Sequence, residues 1–431
     1  MGGYDKGVLF HDDLLKDIRE KFLWIETDPI QQRKRLFFDN AGGSFRLKSA
    51  SKVFMDLDAI PDCPEREHKT AKYLIDVIEK GTNDIRKIFN AKDGSIATYL
   101  TASQAIFEIT GNMAENAKGN NIVTTALEHP SAYDAAKYYA EKLGKEFRVA
   151  KTNPVTGGVD TEEILKLIDQ DTSLLSVIYA SNISGAILDI ESIVQEAKKI
   201  NPNIYIIVDA VQHAPHGVLD VEKTPVDAIN FAPYKFFGVR GSGIAYLSDR
   251  ASRLPHHKLS GKAENEWSLG SPAPAHYAAI SEIVDYICWI GSNYKQSNDR
   301  REQYVEGMTR ISLHERALLE VILEGTANTE GLRGISGVTV HLDYPDLSKR
   351  DLIVAISIDG MDYKEAVRKY EELGVILFER VNTSIYSKRM IDSFGMKGAI
   401  RISPLHCHTV EEIEEFLSIT ARIAEQSLSR I

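Results

Sequence analysis

Residues 206–217 read IIVDAVQHAPHG, and residues 229–243 read INFAPYKFFGVRGSG. In the first stretch an apolar run delivers one carboxylate, Asp209, at its end. Such a run reads as a strand buried on both faces. An acid at that depth needs a cationic partner, because an unpaired buried charge is costly. In the second stretch Lys235 follows another apolar run and sits between Tyr234 and the pair Phe236 and Phe237. Apolar surroundings disfavour the ammonium form, so Lys235 is predicted to be a nucleophilic amine. Gly238, Gly241 and Gly243 then permit a tight turn. The competing reading is a surface lysine in an aromatic loop, and the rest of the chain decides between the two.

The same pattern repeats outward from these strands. NIVTTA (121–126), SLLSVIYAS (173–181), NIYIIVDA (203–210) and the segment 227–232 read as buried strands. Amphipathic helices lie between them. In 131–143, Tyr133, Ala136, Ala140 and Leu143 share one helical face. Another helix is predicted to start at Asp160, with Glu163 completing a capping box. Strands alternating with helices imply a large α/β domain with a mostly parallel sheet and crossover helices on both faces. Composition then shifts. A long helical stretch, about 275–325, precedes the strand-like runs VTVHL (338–342), LIVAISI (352–358), GVILFE (374–379) and AIRIS (399–403). A last helix opens with a capping box at Thr409 and Glu412 and runs to about residue 428. The expected organisation is an N-terminal helical segment (1–36), the large domain (37–290) and a smaller α+β C-terminal domain (291–431).

Composition narrows the function. The chain has 431 residues and a net charge of −11, from 62 acidic against 51 basic residues. With no basic block, nucleic acid and anionic membrane are disfavoured as partners. No apolar run reaches the roughly 18 residues that a membrane-spanning helix needs. The opening residues, 1–22, lack the basic and apolar regions of a secretory signal, and MGGYDK lacks the Ser or Thr of a myristoylation site. Three cysteines, Cys63, Cys288 and Cys407, make no disulfide framework. A cytoplasmic setting is expected.

Polar residues recur at strand ends, where ligands bind in parallel α/β sheets. TASQAIFEI (101–109) opens a helix whose N-terminal groups suit a phosphate, with Thr101, Ser103 and Gln104 as contacts. LEHPSAYDA (127–135) places His129 between a strand and a helix, and ASNISG (180–185) places Asn182 after another strand. Singly, these read as an N-cap, a structural histidine and a turn. Asp209 is sharper. A carboxylate beside a pyridine nitrogen keeps that nitrogen protonated. Protonated pyridinium is the electron sink of pyridoxal-phosphate (PLP) chemistry.

The order Asp209, Gln212, Lys235 resembles the aminotransferase class V superfamily, which includes cysteine desulfurases, selenocysteine lyases, kynureninases and isopenicillin-N epimerases. The resemblance covers about 37–425 and begins at FFDNAGGS (37–44), which is similar to the family's substrate-side motif and brings in Asn40. It implies a fold type I PLP-dependent transferase of the aspartate aminotransferase kind. It further implies that Thr101, Ser103 and Gln104 form the phosphate loop, His129 stacks on the cofactor ring and Asn182 meets its phenolate side. Asp209 would pair the pyridine nitrogen, Gln212 the phenolate oxygen, and Lys235 would be the Schiff-base lysine. EWSLGSPAP (266–274) resembles the segment reaching the partner subunit's phosphate, so Gly270 and Ser271 imply a homodimer with shared active sites. AIRIS resembles the carboxylate-binding segment, with Arg401 holding a small amino-acid substrate bidentately.

Two departures from the family pattern are visible. Ala232, Pro233 and Tyr234 stand where many members have Ser-X-His before the lysine, so a phosphate-binding Ser is missing and Tyr234 is the replacement hydroxyl. Desulfurases carry a nucleophilic Cys on a loop before the carboxylate arginine, but residues 378–403 contain none. A persulfide needs a thiolate, so an aminotransferase or lyase is the expected activity. C–S cleavage of the desulfurase or selenocysteine lyase kind, epimerisation, and a non-catalytic relative are the alternatives. Cys407 reads as structural. The histidine pairs 213/216, 256/257 and 406/408 lack zinc-site spacing and read as structural or surface histidines. Arg35, Arg46, Arg240 and Arg380 are equal candidates for a second substrate anchor.

Overall fold

The computed structural model describes residues 6–429. Its strands in chain order are β1 (Leu36–Phe37), β2 (Ser95–Tyr99), β3 (Asn121–Thr125), β4 (Glu146–Ala150), β5 (Thr172–Ile178), β6 (Tyr205–Asp209), β7 (Ala228–Phe231), β8 (Gly243–Leu247), β9 (Val338–His341), β10 (Val354–Ile358), β11 (Val375–Ile376), β12 (Phe378–Val381) and β13 (Gly398–Ile402). A seven-stranded sheet runs in the order β2-β8-β7-β6-β5-β3-β4. The pairs from β7 through β4 are parallel, whereas β8 is antiparallel to both its neighbours. This is the α/β fold with a mostly parallel sheet expected above. Because β8 alone runs backwards, β2, β3, β5, β6 and β7 all end on one edge, and the loops leaving that edge carry the polar residues singled out above.

The central strands β3, β5 and β7 are buried at every position, which is why they read as continuous apolar runs. By contrast, β2 and β4 are the sheet's outer strands, partly exposed, and carry too little apolar pattern to be recognised from sequence. The helical stretch 275–325 is two helices, Pro274–Ser292 and Arg300–Glu324, broken by a polar turn and restarted by Asp299, which accepts the N–H groups of Arg301 and Glu302. They pack closely enough that a Cβ at Gly291 or Gly307 would collide with the facing backbone. GVILFE likewise divides, β11 pairing with β1 and β12 with β13. Asp160 does sit at a helix N-cap, but its side chain makes no cap bond and is held instead by Asn153 at 3.0 Å. The Thr409–Glu412 capping box is complete, a contribution of about 1 kcal/mol.

A second, four-stranded sheet, β12-β13-β10-β9, is antiparallel throughout and forms the C-terminal α+β body with Val410–Leu428. The helix Arg300–Glu324 serves both cores: Tyr304, Met308 and Ile311 enter the larger one, and Leu318, Leu319, Ile322 and Leu323 the smaller. The N-terminal helix, Asp12–Glu20, is pinned across the two, with Ile18 in the larger core and Arg19 bonded to the Cys407 carbonyl and to Glu412. No helix among the described residues is long and apolar enough to cross a membrane.

Candidate active site

The carboxyl edge of the large sheet opens into a cavity of about 240 Å³. Each strand places one part of its wall. After β2, Thr101 caps the helix Ala102–Asn116, accepting the Gln104 N–H at 3.0 Å, and Thr101 and Ser103 line the cavity. After β3 comes His129, after β5 Asn182, at the end of β6 Asp209 followed by Gln212, near the end of β7 Asn230, and after β7 Tyr234 and Lys235. The predicted residues are thus brought together, with three exceptions among the cofactor candidates. Gln104 turns its side chain outward to Glu108 at 2.9 Å. Gly270 and Ser271 border a separate hollow, where Ser271 bonds Glu65.

Burial sets the electrostatics. Lys235 lies in a short turn, Pro233–Lys235, and is partly accessible from the cavity. Desolvation, reinforced by the charge of Arg401 and opposed by Asp209, lowers its pKa to about 8. Asp209 is 5% exposed; burial raises its pKa, against an N–H bond from Val211 and the charge of Lys235. His129 is pushed down to about 3 by burial and by the charges of Lys235 and Arg380. Its Nδ1 accepts the Ser131 N–H at 3.2 Å, so the ring is neutral with its proton on Nε2. Behind it Glu128 accepts the Ile178 N–H at 2.8 Å, and burial lifts that acid to about 8. Two residues after the lysine, buried Phe237 adopts a left-handed backbone (φ 63°), a conformation rare for a bulky residue. Packing against Phe22, Tyr286 and His406 holds it there.

The cavity wall leaves polar groups without partners: Asn182 Oδ1, Gln212 Oε1 and both amide atoms of Asn230. Buried polar atoms rarely stay unpaired. These amides, the helix start at Thr101, the neutral His129 and the Asp209–Lys235 pair fit a flat, phosphorylated pyridine aldehyde. Thr101 and Ser103 would hold its phosphate, Asp209 its ring nitrogen and Lys235 its aldehyde. Sequence reasoning did not single out Asn230, Ser131 or Val211; only the strand-end position of Asn230 could have signalled it.

The C-terminal body reaches the site through Arg401, which bonds the loop that carries Asn182 and whose charge acts on Lys235. Arg401, 2% exposed, donates from Nη2 to Asp39 at 2.6 Å and from Nη1 to the Asn182 carbonyl at 3.1 Å. Asn40 does not face a ligand through its amide. Nδ2 donates to the Phe37 and Ser403 carbonyls, and Oδ1 accepts the Phe45 N–H, so Asn40 fixes the loop that presents Asp39. Cys407 is fully buried, and desolvation raises its thiol pKa far from the thiolate range. The histidines behind the site have protein partners: His213 bonds Asp351 at 3.0 Å, His216 bonds Glu315 at 2.7 Å, and His406 bonds Tyr286 at 2.7 Å.

Residues 37–416 match the profile of the family described as aminotransferase class-V. The chain belongs to that family. Among its class-V relatives is a probable cysteine desulfurase of Borreliella burgdorferi, 24% identical over 94% of this chain and 96% of the relative. A probable cysteine desulfurase of Mycoplasma genitalium is 30% identical over 56% of this chain, which spans 59% of that relative. In fold, the chain is similar to the cysteine desulfurase of Thermococcus onnurineus NA1, with a TM-score of 0.78 at 19% identity, covering 95% of this chain and 98% of that one. Class-V membership makes the chain an enzyme of a PLP-dependent family.

The depressed pKa of Lys235 has a direct kinetic consequence. Only the neutral amine attacks an aldehyde. Covalent capture of PLP by the apoprotein should therefore accelerate by about tenfold per pH unit below pH 7 and level off above about pH 8. Stopped-flow absorbance would follow it. A rate still climbing at pH 10, as for an ordinary lysine of pKa about 10.4, would contradict a desolvated amine.

Proposed function

We propose that the chain is a PLP-dependent enzyme acting at the α-carbon of a small amino acid, removing a side-chain substituent or transferring the amino group. The observation that carries this reading is the convergence of Lys235 and Asp209 in one cavity at the sheet's carboxyl edge. When bound, PLP supplies an electron sink for the pair released at the α-carbon. Asp209 keeps the ring nitrogen charged, since its carboxylate is stabilised by an adjacent cation. Arg401 binds the substrate carboxylate, sharing its guanidinium with Asp39. Lys235, with an amine of pKa about 8, takes the α-proton and returns it. His129 stays neutral and covers the ring face. Gly270 and Ser271, exposed and away from Lys235 in their own chain, reach the phosphate of a second copy, making a homodimer. All three cysteines are free, which supports a reducing, cytoplasmic setting.

Within this reading, the relatives named cysteine desulfurases favour C–S bond cleavage. The local chemistry constrains its form. With no cysteine in 378–403 and Cys407 buried, sulfur would leave as free sulfide and not as an enzyme-bound persulfide. The test incubates PLP-loaded protein with cysteine and other small amino acids, with and without a keto-acid acceptor. Keto acid and ammonia formed without acceptor, with sulfide as the third product from cysteine, mark an eliminating lyase; strict dependence on the acceptor marks a transaminase. No turnover of any amino acid by a protein carrying the PLP absorbance would sink the catalytic reading. The mass in solution of the same preparation tests the pairing, and a monomer that turns over would remove it.

A further inference from the structure

Between β12 and β13 the chain leaves the small sheet. β12 ends at Val381 and β13 begins at Gly398, and the residues between them carry a short helix, Lys388–Ser393. Both strands belong to the C-terminal body, yet Met390, Ile391 and Phe394 are buried in the larger core. Thr152, two residues past β4, donates from Oγ1 to the Ser393 carbonyl at 2.9 Å. None of residues 382–397 lines the cavity that holds Lys235. One side chain of this crossing segment nevertheless reaches a loop that does.

That loop is Ala126–His129, which follows β3 and presents the imidazole to the cavity. Arg389 donates to the carbonyls of Ala126 and Glu128, on either side of fully buried Leu127. Its guanidinium also lies over the Tyr133 ring at 4.0 Å, on the helix Pro130–Leu143 that His129 caps. A guanidinium is planar and carries its donors in a rigid fork, so two such bonds fix the spacing of the carbonyls as well as their direction. Contacts at Glu128 and at Tyr133 thus bracket His129 from both sides along the chain.

The loop's other ties come from the large domain. The Ala126 N–H bonds the Ala150 carbonyl at 2.9 Å, and the Leu127 N–H bonds Thr125 Oγ1 at 3.1 Å. Glu128 Oε1 accepts from Thr125 Oγ1 at 2.7 Å and from the Ile178 N–H at 2.8 Å. These bonds occupy N–H groups and the Glu128 side chain, whereas Arg389 takes the carbonyls. Without it both carbonyls lose a charged donor, and the backbone next to His129 is free to turn toward water. The charge of Arg389 also joins burial, Lys235 and Arg380 in keeping the imidazole neutral.

We infer that Arg389 is a positioning residue for the cofactor: by holding the Ala126 and Glu128 carbonyls, it sets the pose of His129 against the cofactor ring. The C-terminal body thus grips the cofactor through a side chain that does not touch it. Stacking depends on the plane and offset of the two rings, so a loop free to turn weakens it. The inference rests on the reading, given above, that His129 covers the ring face of PLP.

The test is a double-mutant cycle on PLP release from the loaded enzyme, timed by the cofactor's absorbance after gel filtration. Arg389→Gln is expected to release PLP about two- to tenfold faster, the worth of one aromatic stacking contact. Arg389→Lys, which has no fork, should fall between that variant and the parent. In a His129→Ala background, Arg389→Gln should change the rate no further. The visible circular dichroism of bound PLP should weaken alike in Arg389→Gln and His129→Ala. Effects that multiply in the double variant would overturn the inference, because Arg389 would then act on the fold and not through His129. So would an Arg389→Gln protein that holds PLP as long as the parent. Where a variant fails to fold, the unmodified protein still decides. PLP loading should slow amide hydrogen exchange in 382–397 more than in the helix Val410–Leu428 of the same body, and equal slowing would overturn the inference. A protein that never acquires PLP absorbance fails at the earlier reading, so the two failures are distinguishable.

Discussion

Replacing Lys235 with alanine is expected to abolish the borohydride-reducible linkage to PLP and to lower turnover by at least about 10²–10⁴-fold. Two roles fall on this one side chain. It attaches the cofactor as a nucleophile, and it moves the α-proton as a general base. No neighbour can stand in for either. His129 is held near pKa 3 and is too weak a base, and the charged groups acting on the lysine are the guanidinium ions of Arg401 and Arg380 and the carboxylates of Asp209 and Asp39, none of them an amine. The loss will not come from misfolding. The lysine's amine is desolvated in the folded state, and burial already raises the pKa of the Asp209 carboxyl beside it, so with the ammonium gone Asp209 takes up a proton instead of standing as an unpaired charge. The variant should melt no lower than the parent. A reducible adduct that persists in Lys235→Ala would show that another amine anchors the cofactor.

Replacing Asp209 with asparagine is expected to reduce turnover by roughly 10–1000-fold while leaving PLP bound. The magnitude follows from the charge pair. An adjacent carboxylate shifts a cation's pKa by about 1–3 units, each unit worth about 1.4 kcal/mol. The amide fits the same space and can still accept the Val211 N–H, so the geometry survives and only the charge is lost. Alone in the apoprotein, Asp209 has its pKa raised by burial, so its ionised form depends on the cation placed against it. The variant's PLP absorbance should persist with an altered pH dependence. Unchanged kcat in Asp209→Asn would mean that the carboxylate does not act on the ring nitrogen.

Much of the α/β domain was legible before any coordinates. Buried strands announce themselves by continuous apolar runs, and each of β3, β5, β6 and β7 ends where its run meets a polar loop. Edge strands do not, because water covers one side: β4 is exposed or half-buried at four of its five positions. Thr101, Ser103, His129, Asn182, Asp209, Gln212, Tyr234 and Lys235 all line one cavity, which the strand-end rule anticipates. Gln104 and Asn40 show the limit of that rule. Both occupy the right loops, but a side chain's direction depends on its neighbours, and these two turn to Glu108 and to the backbone around Ser403.

The sequence by itself determined the central strands β3, β5, β6 and β7, the edge on which the candidate site lies and the two residues at its centre, because a strand's burial and its end are local properties of the chain. Tertiary structure decided which arginine stands beside Arg401. Arg380 lies 21 residues away in sequence, and nothing local distinguishes it from Arg35, Arg46 or Arg240. Only the pairing of β12 with β13 buries its charge beside that of Arg401. Tertiary structure also set the reactivity of Lys235, since the pKa of an amine follows from what encloses it and which charges approach it, and those come from both domains.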